Sequence, residues 1–273
     1  IALGYTMVYG IAKMLNFAHG DVIMVGSYMT FLMASSLGLP PALAVLVAVV
    51  VCTVLGITIE KIAYKPLRKA PSLAVLITAI GVSNLLQGLA QLIFGTEPKS
   101  VIILNKLGSL QINEDLSINI STIVTLVLSA LIMITLTVFI KKSKTGRAMI
   151  AVSEDKGAAQ LMGINVNRTI AVTFAIGSAL AAIAGVLLCS TSPALKPTTG
   201  SMPGIRAFTA AVFGGIGSIP GAMLGGILLG VIEELCKGLI STQFSDAIVF
   251  GVLIIVLLVK PTGLLGKQVQ EKV

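Results

Sequence analysis

Side chains able to do chemistry are few in this chain and widely spaced. The one histidine, His19, lies in the stretch NFAHGD at residues 16–21, together with Asn16, Gly20 and Asp21. Three cysteines, Cys52, Cys189 and Cys236, sit within or beside apolar runs, with no second Cys or His at metal-ligand spacing, and read as packing residues. Two adjacent acids, Glu233 and Glu234, fall near the end of an apolar run and precede Lys237. Acids at such a place either serve transport or simply reach the membrane interface. No GxxxxGK[ST] phosphate loop occurs, since Gly263-Leu-Leu-Gly-Lys-Gln lacks both the spacing and the hydroxyl residue. There is no GxSxG elbow and no HExxH zinc pair. An enzyme therefore has nothing to work with here: no catalytic residues, no metal ligands and no cofactor are expected on this chain. The acidic chains used by proton-driven pumps are missing as well.

One polar stretch stands out against apolar surroundings: SEDKGAAQLMGINVNR at residues 153–168. Ser153 suits a helix N-cap, because its hydroxyl can accept from a free backbone N–H. Glu154 and Asp155 then place negative charge at the positive end of the helix dipole. Gly163 suits the position just past the helix end. Roughly nine residues, or about 13 Å, lie between. Ala158, Ala159, Leu161 and Met162 give this short helix a small apolar surface. It either lies on the lipid surface or docks a partner protein, and its paired alanines suit close approach by another protein surface.

The elements that carry these residues follow from composition. Of 273 residues, 56% are hydrophobic and only 11% charged, against about 25% charged in soluble domains. Mean hydropathy is +1.02. The solvent for most of the chain is lipid. With 28 glycines and no tryptophan, close helix packing is favoured and anchoring falls to Tyr, Lys and Arg. The net charge of +8 is a topology signal rather than a nucleic-acid signal, so no nucleic-acid partner is expected.

Apolar runs fall at about 1–17, 20–38, 41–60, 72–94, 119–140, 169–190, 205–240 and 246–260. The expectation is an all-α integral membrane protein of about eight transmembrane helices, one membrane domain over 1–273. Residues 1–15 are too few to span roughly 30 Å of hydrocarbon, so the start of the first helix is expected to be missing. Basic residues set orientation. Lys61, Lys65, Arg68 and Lys69 mark one cytoplasmic loop. Lys141, Lys142, Lys144, Arg147, Lys156 and Arg168 mark a second, spanning 141–168, and Lys260, Lys267 and Lys272 mark the tail. The loop at 95–118 balances Lys99 and Lys106 against Glu97, Glu114 and Asp115, and is expected outside with 191–204.

Two places oppose continuous helices. NFAHGD is one, where Asn16, His19 and Asp21 are expected to cap a helix starting near residue 22. FGGIGSIPGAMLGG at 213–226 is the other, where Pro220 and clustered glycines break the run. Irregular backbone in a membrane is tolerated where protein or water surrounds it. Asn16, His19, Gly20, Gly214, Gly215, Gly217, Pro220 and Gly221 are thus candidates for a translocation path or hinge. The fourfold spacings Gly217/Gly221/Gly225 and Gly226/Gly230 serve either packing or such a hinge. Gly177, Ala181 and Gly185 read as packing.

Four stretches carry a family resemblance: ALGYTMVYGIAKMLNFAHGD (2–21), GRAMIAVSEDKGAAQLMGIN (146–165), AFTAAVFGGIGSIPGAMLGG (207–226) and VLLVKPTGLLG (256–266). In order, and over nearly the whole chain, they resemble LivH-type permeases of bacterial branched-chain amino acid ABC importers. Ala158, Ala159 and Gly163 match the family's cytoplasmic coupling loop; where the loop's Glu would stand, this chain has Gly157, and the nearest acid is Glu154. The resemblance implies a permease subunit in the bacterial inner membrane, with Glu154, Asp155, Ala158, Ala159 and Gly163 facing an ATPase. It further implies two ATPase subunits that use ATP, a second related permease chain and an extracytoplasmic solute-binding protein. Permeases for urea and short amides share the general pattern. A stand-alone channel or secondary transporter, suggested by the helix breaks, is the remaining alternative.

Overall fold

The computed structural model describes residues 1–68, 70–100, 108–113, 116–191 and 194–266. Lys69, Lys106, Glu114, Asp115, Lys267 and Lys272, used above for sidedness, lie outside the described residues. The protein is an all-α membrane protein. Its helices are α1 (Ala2–Ala12), α2 (His19–Phe31), α3 (Pro41–Ile59), α4 (Ser72–Phe94), α5 (Ile120–Lys142), α6 (Lys144–Glu154), α7 (Lys156–Leu161), α8 (Val166–Thr191), α9 (Ser201–Gly214), α10 (Ile219–Leu239) and α11 (Ser245–Val259). A turn of wider π-helix prolongs α2 over Leu32–Ser36 and α3 over Glu60–Tyr64. Two short antiparallel pairs complete the described residues: β1 (Lys99–Ser100) with β4 (Ala194–Leu195), and β2 (Ser109–Asn113) with β3 (Leu116–Asn119).

Among the described residues, six helical segments are long and apolar enough to cross a membrane: Pro41–Tyr64, Ser72–Phe94, Ile120–Lys142, Val166–Ser190, Ile219–Leu239 and Thr242–Val259. Each follows an apolar run without internal Pro, and Pro41 and Pro220 fall in first turns, where the missing N–H is no loss. The run at 205–240 is divided as expected, between α9 and α10. With 14 residues, α9 is roughly 21 Å long and shorter than the hydrocarbon layer.

The centre of the bundle is α8, packed on α1, α2 and α3. Small residues bring the backbones together. A Cβ on Gly177 would lie 2.7 Å from Val8, one on Gly26 would lie 2.7 Å from the Cα of Ala182, and Ala181 is fully buried. Gly185 backs onto Ile23 and Ser27, and Gly56 onto Ser178. The stripe of Gly177, Ala181 and Gly185 is therefore packing. Gly221 and Gly225 likewise seat α10 on Gly214 and Ala210 of α9, whereas nothing lies near Gly230. At the periphery is α5, whose faces present Leu126, Val127, Leu131 and Ile134 outward.

Long-range contacts sort the loops into two ends. Arg68 bonds Asn167, Lys156 bonds the carbonyl of Ala12, and the backbone N–H groups of Leu264 and Leu265 donate to Phe213 and Gly214. These contacts gather residues 61–68, α6, α7 and the segment 260–266 at one end, as the basic residues require. The β1–β4 pair joins the segment after α4 to the segment after α8 at the other.

Candidate functional site

Two regions carry the candidate residues, a projection of α6 and α7 and a pair of helix breaks. In the projection, Ser143 caps α6, its hydroxyl accepting from Gly146 N–H at 2.8 Å. The expected nine-residue helix headed by Ser153 is not what forms. Ser153 lies inside α6, its hydroxyl donating to the Ile150 carbonyl at 2.7 Å. Glu154 ends α6 instead of opening α7. Asp155 is the cap, one carboxylate oxygen accepting from Gly157 and Ala158 N–H at 2.7 and 3.0 Å. The reason is reach: with Asp155 extended, its short acceptor meets the two free donors of α7, while Ser153 satisfies itself one turn back.

The other end of α7 is as expected. Gly163 takes φ +80°, and Ile164 N–H donates to the Ala159 carbonyl at 3.0 Å, a left-handed glycine closing a helix. Ala159 is buried beneath the projection, while Leu161 and Met162 are 90% and 83% exposed. Ala158 is also exposed. The structure thus gathers Ala158 and Ala159 on one six-residue helix, with Asp155 capping it and Gly163 in the turn that closes it, and leaves Glu154 on its neighbour. At the membrane end where they lie, two large apolar side chains face outward, uncovered by any of the described residues.

The breaks are packed on one another's surroundings. Residues 13–18 separate α1 from α2, and Lys13 closes α1 in the left-handed region with φ 57°. The capping expected of Asn16, His19 and Asp21 does not occur. Helix α2 begins at His19, after Ala18, with no side-chain cap. Asn16 accepts from the Tyr64 hydroxyl at 2.9 Å. Asp21 accepts from the Gln87 amide at 2.9 Å, which also donates to Ser201 at 3.1 Å. His19 is buried, its ring edge-on to Tyr5 at 5.9 Å between centroids. Asn16 and Asp21 are thus engaged by distant side chains rather than by the free N–H groups of α2. Gly20 packs against Gly200 and Gly204, so the starts of α2 and α9 meet inside the protein.

At the second break, Gly215 and Gly217 have φ 105° and 86°, which glycine adopts without strain. Gly217 N–H donates to the Thr6 hydroxyl at 3.0 Å, and Ser218 caps α10 above Pro220 by accepting from Gly221 N–H at 3.2 Å. A Cβ on Gly10 would lie 2.8 Å from the Cα of Gly217. Helix α1 therefore touches both breaks: it runs into the first and bears on the second. Among the described residues no group of three His, Cys, Asp or Glu side chains is placed to hold a metal, and the three cysteines are buried and free.

Sequence reasoning missed the charged tethers. Glu60 is buried with Arg68 as its ion-pair partner, and Arg68 also bonds Asn167. Arg206 of α9 pairs with Glu233 at 2.7 Å and Asp246 at 2.6 Å, while Lys237 pairs with Glu233 and Glu234. Glu233 is thus a tie between α9 and α10. A lone charge inside an apolar run was the signal for Arg206, and an acid at or near the end of an apolar run for Glu60 and Glu233; Lys237 could be read as a local partner of Glu233, but the distant pairings could not. Lys156, counted only as a basic residue, bonds the last carbonyl of α1 at 3.1 Å.

Residues 1–257 match the family model described as branched-chain amino acid transport system / permease component. The chain is 45% identical to the high-affinity branched-chain amino acid transport system permease protein LivH of Escherichia coli, over 100% of this chain and 92% of that one. It is equally identical, over the same shares, to the permease protein BraD of Pseudomonas aeruginosa. It is 31% identical to a probable branched-chain amino acid transport permease protein LivH of Methanocaldococcus jannaschii, over 97% of this chain and 87% of that one. No solved structure matches it.

Proposed function

This chain belongs to the permease components of branched-chain amino acid transport systems, and from that premise we propose that it forms one side of a path for leucine, isoleucine and valine across the cytoplasmic membrane, driven by ATPase subunits docked on α7. It is a multi-pass membrane permease and carries no phosphate loop of its own, so ATP is used by its partners. Two such ATPases, a second related permease chain and an extracytoplasmic solute-binding protein complete the importer. The crossings are the six long segments together with α1, α2 and α9, which serve as part-spans meeting at the breaks.

The observation that carries this reading is α7: a short capped helix tethered between α6 and α8, with Leu161 and Met162 outward. Exposed large apolar side chains beside a strongly basic loop suit a protein partner. When ATP draws the two ATPases together, α7 moves with them. The motion passes to α6 and α8, and through Ala12 to α1, which bears on both breaks. Asn16, His19, Gly20, Gly214, Gly215, Gly217, Pro220 and Gly221 flank those breaks and rearrange as the path changes the face to which it opens. The solute-binding protein favours one of the two states, since a ligand shifts such an equilibrium only by differential affinity.

The test is purification of the tagged chain from its native membrane in mild detergent. Two phosphate-loop ATPases and a second permease are expected to accompany it, with uptake of radiolabelled leucine after reconstitution with the binding protein and ATP. A chain that comes out alone and still conducts leucine without ATP would overturn the reading; uptake of urea or a short amide instead would change its substrate.

A further inference from the structure

A cleft of about 490 Å³ lies between the segment after α3 and the start of α8, its lining half apolar, through Ile164, Val166 and Ile170, and half polar, with Arg68, Lys156 and Gln160 among its polar residues. Its two cations differ. Arg68 is committed, paired to Glu60 and bonded to Asn167. Lys156 has no acidic partner among the described residues, and its one hydrogen bond is to the Ala12 carbonyl at 3.1 Å. An ammonium has three N–H donors, so two remain for the cleft. The acids nearest in the chain do not serve it: Asp155 is occupied in capping α7, and Glu154 is exposed at the end of α6. Partial burial, with repulsion from Arg68 and Lys13, pulls the pKa of Lys156 below the ordinary lysine value. An unmatched, partly desolvated cation of this kind is stabilised by an incoming anion.

The cleft is also continuous with the docking surface. Gln160 and Gly163 belong to α7 and its closing turn, immediately beside the outward Leu161 and Met162. We propose that a carboxylate of the docked ATPase subunit enters this cleft and binds Lys156. The inference rests on the docking of an ATPase at α7 proposed above. It also assigns Lys156 a positioning role. The carboxylate takes the two remaining N–H donors of the ammonium whose third holds the Ala12 carbonyl, so one side chain ties the docked ATPase to the end of α1.

The experiment uses the assembled importer, wild type and Lys156 variants, treated with a water-soluble carbodiimide that activates a carboxyl for attack by a neighbouring lysine amine, giving an amide and releasing the reagent as its urea. An amide between Lys156 and an Asp or Glu of the ATPase is expected in the peptide masses, absent in Lys156→Gln. Lys156→Arg keeps the charge and is expected to recover much of the transport that Lys156→Gln loses. Lys156→Gln is expected to retain the ATPases through Leu161 and Met162, but to lose transport by roughly tenfold or more and to raise the ATP hydrolysed per leucine imported. Lys156 unreacted while Lys144 reacts, Lys156 joined only to acids of its own chain, or Lys156→Gln at full transport would each overturn the inference with the docking of ATPases intact. Absence of any ATPase from the wild-type preparation would overturn both.

Discussion

The centre of the bundle and the α6–α7 projection are built on opposite terms. Around α8, small residues meet small residues, and each close approach is filled by the chain itself: Gly26 on Ala182, Gly177 on Val8, Gly56 on Ser178. On the projection, Ala159 is buried but Leu161 and Met162 stand out, uncovered among the described residues. The centre is finished by intramolecular packing. The projection leaves apolar side chains outward, where the proposed ATPase would dock. Substitutions in the first should act on folding, and substitutions in the second on function with folding intact.

The largest effect is expected at Gly185→Leu. Its Cβ would lie 2.7 Å from the Ser27 hydroxyl, and overpacking of this kind costs about 1–3 kcal/mol or more; membrane accumulation measured by immunoblot should collapse. Gly163→Arg comes next. The chain should accumulate and assemble, yet leucine uptake should vanish, because a large side chain at φ +80° strains the turn and stands in the docking surface. Joint replacement of Leu161 and Met162 by Ser should lower ATPase co-purification severalfold at unchanged accumulation. Asp155→Ala removes the cap of α7, a loss of about 1 kcal/mol, and should reduce uptake modestly, with Asp155→Asn restoring it. The smallest effect is expected at Gly81→Ala in α4, where nothing lies within 4 Å of the added carbon: accumulation and uptake should both be unchanged. Equal losses of accumulation at Gly185 and at Leu161 would erase the distinction between the regions.

Much of this was legible locally. The break at Pro220, the left-handed turn at Gly163 and the packing stripe on α8 all follow from short-range sterics and small-residue spacing. The helix caps were misread because both errors involved side chains with a choice. Ser153 could cap or bond back within its own helix, and Asn16 and Asp21 could cap or reach Tyr64 and Gln87. Short-range rules name the options of a polar side chain. They do not weigh a buried partner many residues away against a free backbone N–H.

The sequence by itself determined a membrane protein, its apolar runs, its breaks and the basic end at which the projection lies, because hydropathy and backbone sterics act over a few residues. Only the tertiary structure decided that α8 lies central and α5 peripheral, that Glu60 belongs to Arg68 and Glu233 to Arg206, and that Lys156 holds Ala12 across 144 positions of chain. Those outcomes depend on which apolar surfaces meet in lipid, where the spanning helices are all apolar and fit, rather than greasiness, selects the neighbours.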